Sequence, residues 1–357
     1  MKPLVQASAL VLAVCAALLY AVYALENSGG GGDAGVVTVY NWGEYIDPDL
    51  IARFEEETGY KVIYETFDSN EAMLTKIRQG GSAYDVAVPS DYAIEIMREE
   101  GLLLPLDHAK LPNLANIDPY FLDMPFDPGT TYSVPYFWGT LGIVYNPELI
   151  PEHLTFDTWE DLWDPALRDK VFLFDGAREV IGMALNSIGA SVNARDDELL
   201  ARALERLREL SPNVKAVIGD EITNLMVNDE AAVALTFSGQ AADMMWENES
   251  LDYNVPKEGS NLWFDSFVIP ATSRNPDGAH AFINFMLDAE VSAQNTEYVG
   301  YSTPNAAAME LLDEEIVTDE RFYPPVELRE KLEVYENLGP EWLAKYSELF
   351  LEFKMGL

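Results

Sequence analysis

Carboxylates stand beside aromatic side chains at several places in this chain, a pairing that suits an organic cation. Trp42-Gly43-Glu44-Tyr45, Ser90-Asp91-Tyr92, Asp175-Gly176-Ala177-Arg178-Glu179 and Trp263-Phe264-Asp265 are the clearest cases, with Phe237 and Tyr301 as further aromatics. An aliphatic ammonium stays charged at neutral pH, so each one taken out of water needs an anionic acceptor, while aromatic faces cover the methylenes and attract the cationic ends. A sugar site also uses Trp and acids, but sugars gain nothing from several fixed negative charges whose desolvation goes uncompensated. With 61 Asp and Glu in the chain, an acid near a Trp also recurs by chance, so position must select among the candidates. Trp159 and Trp163, four apart in a helix-like stretch, read as core; His108, His153 and His280 sit in unrelated contexts and read as surface or structural. No nucleophile elbow, P-loop or HExxH is present, although two separated carboxylates such as Glu44 and Asp265 could imitate a glycosidase pair.

The elements that carry these residues alternate between strand and helix. Residues 36–40 form a β-rich run, and Asp47-Pro48 then supplies a cap and a first-turn proline for a helix with Leu50, Ile51 and Phe54 at helical spacing, stopped at Gly59. Residues 61–66 read as the next strand, which predicts a parallel pair joined by a right-handed crossover. A helix runs from a Ser69 cap to Gly80, residues 85–88 form a third strand, and a helix over residues 94–100 stops at Gly101. Later segments repeat the grammar: strand 170–174 with helix 178–188, then strand 232–237 with helix 240–246. Residues 196–210 alternate charges around Leu at helical spacing and predict a solvent-facing helix without chemistry. Residues 132–146, rich in aromatics, Gly and Pro, read as a crossing between two lobes. The fold class is therefore α/β, and in open α/β sheets ligands bind outside the carboxyl ends of strands, where the first three residue sets fall.

Composition limits the partners. Lys and Arg number 22, and the net charge of −39 is spread along the whole length, which argues against nucleic acid and anionic membranes and favours cations. Solubility, in a habitat salty enough to screen such a surface, accounts for the same excess. The lone Cys15 lies in an apolar run over residues 4–25, so the body has no thiol, disulfide or Cys metal site. That run follows Lys2 and ends in Val22-Tyr23-Ala24, which predicts an export signal over residues 1–24. About 20 apolar residues also suffice for an uncleaved anchor, and the residues before Cys15 loosely resemble a lipoprotein cleavage box, with Val14 a poor fit. Residues 25–35 read as a Gly-rich tether; Gly30, Gly32 and Gly35 spell GxGxxG, but ahead of the first strand instead of after one.

The runs VYNWGEYIDPDLIARFEEETGYKVIYETFDSNEAMLTKI, YDVAVPSDY, GLLLPLD, PFDPGTTYSVPYFWGT, DGAREV, WFDSFVIP and VGYSTPN resemble, in order and spacing, the periplasmic spermidine/putrescine-binding proteins of ABC importers. The resemblance covers residues 36–305 and thins towards the C-terminus. It implies a two-lobed periplasmic binding protein fold of type II, each lobe a mostly parallel sheet flanked by helices, with residues 36–138 and about 262–308 in one lobe and 139–261 and about 309–357 in the other. It places a second crossing near residues 261–270. It further implies a periplasmic monomer without cofactor or catalysis that closes on a polyamine and delivers it to membrane permease subunits. Carried over motif by motif, the ligand-binding residues are Trp42, Glu44, Tyr45, Ser90, Tyr92, Glu179, Phe237, Trp263, Asp265 and Tyr301, with a further C-terminal contact near Glu336 left unassigned. Three positions depart from the family: Gly43 where spermidine binders often have Thr, Gly176 where some have a second Asp, and Phe237 in place of a frequent Trp, which loses an indole donor. These leave putrescine as plausible as spermidine. A polyamine sensor docking on a membrane receptor, and a receptor for a ferric ion, another small cation or an amino-acid derivative, remain as alternatives. Iron sites in related receptors lean on adjacent tyrosines, and no such pair occurs here.

Overall fold

In the computed structural model, residues 35–357 are described apart from Ser82; the expected export signal, Cys15 and all of the Gly-rich tether except Gly35 lie outside the described residues. Strand β1 (Gly35–Trp42) lies parallel to β2 (Tyr60–Phe67), with Val37 opposite Val62. It also lies parallel to the short β3 (Val86–Ala87). Helix α1 (Pro48–Thr58) starts as its residues require: the Asp47 side chain accepts from the Asp49 N–H at 2.9 Å, and Pro48 fills the first turn. It ends at Gly59, whose φ of 77° is the left-handed conformation that a residue without Cβ adopts freely. Helix α2 (Asn70–Gln79) is likewise capped by Ser69, whose Oγ accepts from the Ala72 N–H.

The crossing expected over residues 132–146 is a single strand, β4 (Ser133–Tyr145), whose 13 residues are all buried. Its first half pairs with β9 (Leu262–Val268), from Ser133 opposite Val268 to Thr140 opposite Leu262. Its second half pairs with β7 (Val233–Phe237), Leu141 facing Phe237. Beyond β7 lie β5 (Val171–Phe174) and then β6 (Val214–Ile218), both parallel. Residues Ile143 to Tyr145 also pair with β8 (Asp252–Asn254). The sheet order is β2-β1-β3-β9-β4-β7-β5-β6, so β4 belongs to both halves. The outer pairs are parallel, as expected, and the central strands β4 and β9 are antiparallel to their neighbours.

Each half has its own core. One gathers Val37, Phe54, Ile77, Val86, Phe264 and Phe282 beneath α1, α2 and helix α8 (Pro276–Met286). The other gathers Ile143, Trp159, Leu173, Ile181, Leu207 and Phe353 beneath α4 (Ala177–Ser187), α5 (Asp197–Leu210) and the C-terminal α10 (Gly339–Met355). Each such side chain withdrawn from water stabilises the fold by roughly 1.5–3 kcal/mol. Trp159 is wholly buried and Trp163 packs against the same core, as their spacing predicts. Helix α5 turns Leu200, Leu204 and Leu207 inward and its charges outward. The histidines are structural: His280 accepts from the Asp107 N–H at 2.9 Å, His108 meets Thr130 O at 2.8 Å, and His153 meets Asp164 at 3.0 Å.

One helix begins earlier than its pattern suggests. Helix α3 spans Asp91–Glu99 instead of starting near Ile94, so Asp91 and Tyr92 occupy its first turn. Ser90 stands at the cap position in extended conformation but makes no cap hydrogen bond. Its hydroxyl is directed to Asp265 instead.

Candidate binding cleft

A cleft of about 600 Å³ opens where the carboxyl ends of the parallel strands of both halves face each other. β1 delivers Trp42 and Tyr45, β3 delivers Ser90 and Tyr92, β5 leads to Phe174 and Glu179, and β7 ends in Phe237. The antiparallel β9 adds Trp263 and Asp265 on alternate residues, both reaching the cleft. Tyr301 follows helix α9 (Ala289–Val299), whose end is set by Gly300 at φ 80°. Every residue the sequence selects lines this space except Glu44, an exposed residue at φ 51° in the loop after β1.

At the centre is Asp265, 7% exposed. Tyr45 OH donates to its Oδ2 at 2.7 Å and Ser90 Oγ–H donates to its Oδ1 at 2.7 Å. Burial raises its pKa to about 6, and the two hydroxyl donors hold the rise in check. Asp91 is buried beside it; desolvation pushes it up to about 8, against amide donors from Tyr92 at 2.6 Å and Phe264 at 3.3 Å. Glu179 is raised by the same cause, opposed by the neighbouring Arg178 charge. That guanidinium does not line the cleft: it stacks on the Tyr335 ring at 4.2 Å and donates to Glu336 O and Asn193 Oδ1.

The aromatic wall is interlocked. Tyr301 meets Tyr45 edge to face at 5.3 Å and Trp263 at 5.7 Å, while Phe237 stands perpendicular to Trp263 at 6.4 Å. Trp42 Nε1 donates to Val88 O at 2.9 Å, fixing the indole plane. Trp263 Nε1 is buried with no hydrogen-bond partner in the protein. Glycine makes room for this wall: a Cβ on Gly239 would lie 1.9 Å from Tyr301 Cε1, so only a bare backbone lets that ring lie against α7 (Ser238–Glu247). A Cβ on Gly176 would fall 2.0 Å from Glu179 Oε2, so Glu179 fills the space a side chain there would need.

The cleft also holds residues that sequence reasoning passed over. Asp68, Asn70 and Glu71 follow β2, and Asp220 follows β6. Both are carboxyl ends of parallel strands, so the rule that selected the other loops would have found them. Asp91, in the marked Ser90-Asp91-Tyr92 set, is not among the residues carried over from the family, and it lines the cleft from the first turn of α3. Tyr335 comes from the C-terminal segment, where no motif points to it. Among the described lining residues, Asp68, Glu71, Asp91, Glu179, Asp220 and Asp265 supply acid, and no Lys, Arg or His is present.

An α/β sheet in two halves, joined by a shared strand over a cleft built to hold a small solute, defines a two-lobed binding receptor. The chain belongs to the bacterial extracellular solute-binding proteins, whose family model matches residues 49–323. It is 40% identical over 318 residues to the spermidine/putrescine-binding periplasmic protein of Salmonella typhimurium, covering 89% of this chain and 91% of that one. It is 34% identical over 312 residues to the putrescine-binding periplasmic protein PotF of Escherichia coli, covering 82% and 84%. Among solved structures, the spermidine/putrescine ABC transporter substrate-binding protein PotD of Streptococcus pneumoniae superposes with a TM-score of 0.87 at 53% identity, covering 90% of this chain and 99% of that one. The TpPotD lipoprotein of Treponema pallidum does so with a TM-score of 0.79 at 29% identity, covering 90% and 99%. Membership of this family makes the chain a receptor and not an enzyme. The Salmonella and Escherichia relatives are named as periplasmic, and no helix among the described residues is long and apolar enough to cross a membrane.

Proposed function

We propose that this protein captures a linear polyamine, putrescine or spermidine, outside the inner membrane and delivers it to the permease of an ABC importer. The observation that carries the reading is the lining of the cleft: six acids among aromatic side chains and no cationic side chain among the described lining residues. Asp265 holds one ammonium group and Glu179 another, with Trp42, Trp263, Tyr301 and Phe237 against the methylenes between. The relatives are named for the same ligands. The lobes are assigned as residues 36–138 with about 262–308, and 139–261 with about 309–357; the buried residues of the three largest hydrophobic clusters, one in the first lobe and two in the second, support this division. The receptor acts as a monomer, reaches the periplasm through its N-terminal segment, and is either freed or tethered there. Calorimetry with putrescine, spermidine and spermine is expected to show affinities near micromolar or tighter, with none for neutral sugars. Silence with all three amines overturns the proposal.

A further inference from the structure

Asp265 must be a carboxylate when an ammonium arrives, and the residues behind it determine how readily it ionises. Asn70, the first residue of α2, is 5% exposed and lies against Ser90. Its Oδ1 accepts from the Ser90 backbone N–H at 3.1 Å, and its Nδ2 donates to Ser90 Oγ at 3.0 Å. The orientation of an amide follows from its hydrogen-bond network, and here a backbone N–H, which can only donate, fixes which end is oxygen. The amide nitrogen must then face Ser90 Oγ, so that oxygen already accepts a hydrogen bond. The single hydrogen on Ser90 is left for Asp265 Oδ1, 2.7 Å away.

We infer that Asn70 is a positioning residue: it locks the Ser90 hydroxyl as a donor aimed at Asp265 and so keeps the ammonium-binding carboxylate ionised. The assignment of Asp265 to the ligand rests on the polyamine reading; the chain of hydrogen bonds behind it does not. The relay also explains why Ser90, at the start of α3, makes no cap hydrogen bond to its own helix. A cap accepts through its side-chain oxygen, and Ser90 Oγ accepts from Asn70 Nδ2 at 3.0 Å instead. The other groups facing Asp265 are Tyr45 from the loop after β1, Asp91 from α3, Tyr136 from β4 and Tyr301 after α9. Burial first and the Asp265 charge second raise Asp91, while Tyr45 favours the ionised Asp265 by hydrogen bond. Ser90 is the second donor, and it is the one whose direction depends on another side chain.

The test reads the Asp265 carboxyl directly, by 13C-detected titration of the ligand-free protein, with Asp265→Asn identifying its signal. In Asn70→Ala the Ser90 hydroxyl is released to rotate, and the Asp265 midpoint is expected to rise by roughly one pH unit, the scale of one hydrogen bond to a charged group. Ser90→Ala should raise it as far, and adding Asn70→Ala to Ser90→Ala should move it no further. Polyamine affinity should fall roughly twofold at pH 7 and roughly tenfold at pH 5 in each variant, with more protons released on binding at pH 7. An unmoved midpoint in a folded Asn70→Ala, or additive shifts in the double variant, overturns the inference. If Asn70→Ala does not fold, an unmoved midpoint in Ser90→Ala does so. Because the titration needs no ligand, these results stand apart from the failure of the polyamine reading, which would appear as absent binding in the unaltered protein.

Discussion

Replacing Asp265 by Asn should weaken ligand binding while leaving the free protein as stable as before or more so, and the two effects follow from the same burial. In the free receptor the carboxyl is pushed from 3.8 to about 6 by desolvation. At 1.36 kcal/mol per pH unit, keeping it ionised at pH 7 costs about 3 kcal/mol of folding stability. The sign follows from linkage: a folded pKa above the unfolded one means the folded state binds the proton more tightly. This destabilisation is thus absent below about pH 4, grows between about 4 and 6, and is constant above. The amide removes it but presents an NH₂ group to one of two donors, Tyr45 OH or Ser90 Oγ, losing one hydrogen bond of roughly 1–3 kcal/mol. The balance is about 0–2 kcal/mol in favour of the variant. Binding moves the other way, because a buried ammonium loses its counter-charge, a loss of about 2–5 kcal/mol. That corresponds to a dissociation constant raised roughly 30- to several-thousand-fold. Thermal unfolding of the free proteins and calorimetry with putrescine and spermidine measure the two terms. A variant that unfolds several degrees earlier yet binds normally would refute the reasoning, since it would make Asp265 a structural residue.

Further outcomes follow from the same geometry. Polyamine affinity should be flat above about pH 7, halve near pH 6 as Asp265 takes up a proton, and approach a tenfold loss per unit below about pH 5, measured by calorimetry from about pH 4.5 to 8. Gly239→Ala sets a methyl carbon 1.9 Å from the Tyr301 ring and should lower both stability and affinity by roughly 1–3 kcal/mol, read by thermal shift and titration. Trp42→Phe leaves Val88 O without its indole donor and should destabilise the fold by roughly 1–3 kcal/mol, read by denaturant titration. The association rate for spermidine should fall steeply between low and physiological salt, because the acids around the cleft and a net charge of −39 attract the cation at long range. Stopped-flow fluorescence at two ionic strengths checks this.

Much of the site was legible because local rules act on adjacent residues. Asp47-Pro48, Ser69 and the glycines 59 and 80 set helix ends through hydrogen bonds and φ angles within one turn, and each does so in the structure. Strand-end placement and carboxylate-aromatic pairing marked the loops, the family resemblance selected Trp42, Tyr45, Ser90, Tyr92, Glu179 and Phe237 within and beside them, and all reach the cleft. Trp263 and Asp265 reach it from an antiparallel strand, through the alternation of side chains along β9. Glu44 satisfied the same rules and still faces solvent, because its backbone turns at φ 51° and no pattern over neighbouring residues reports that turn.

By itself the sequence determined the class of partner, the alternation of strands and helices, and a set of acids and aromatics suited to a cation. The tertiary structure decided which acids act together. Asp265 meets Tyr45 across 220 residues of chain and Ser90 across 175, contacts fixed by the pairing of β9 with β3 and β4. Tyr335 enters the cleft from a segment without a motif, and Asn70 gains its importance only because α2 and α3 converge on Ser90. Hydrogen bonds and desolvation depend on distance in space, and the distances here are set by a sheet whose strands are not neighbours in sequence.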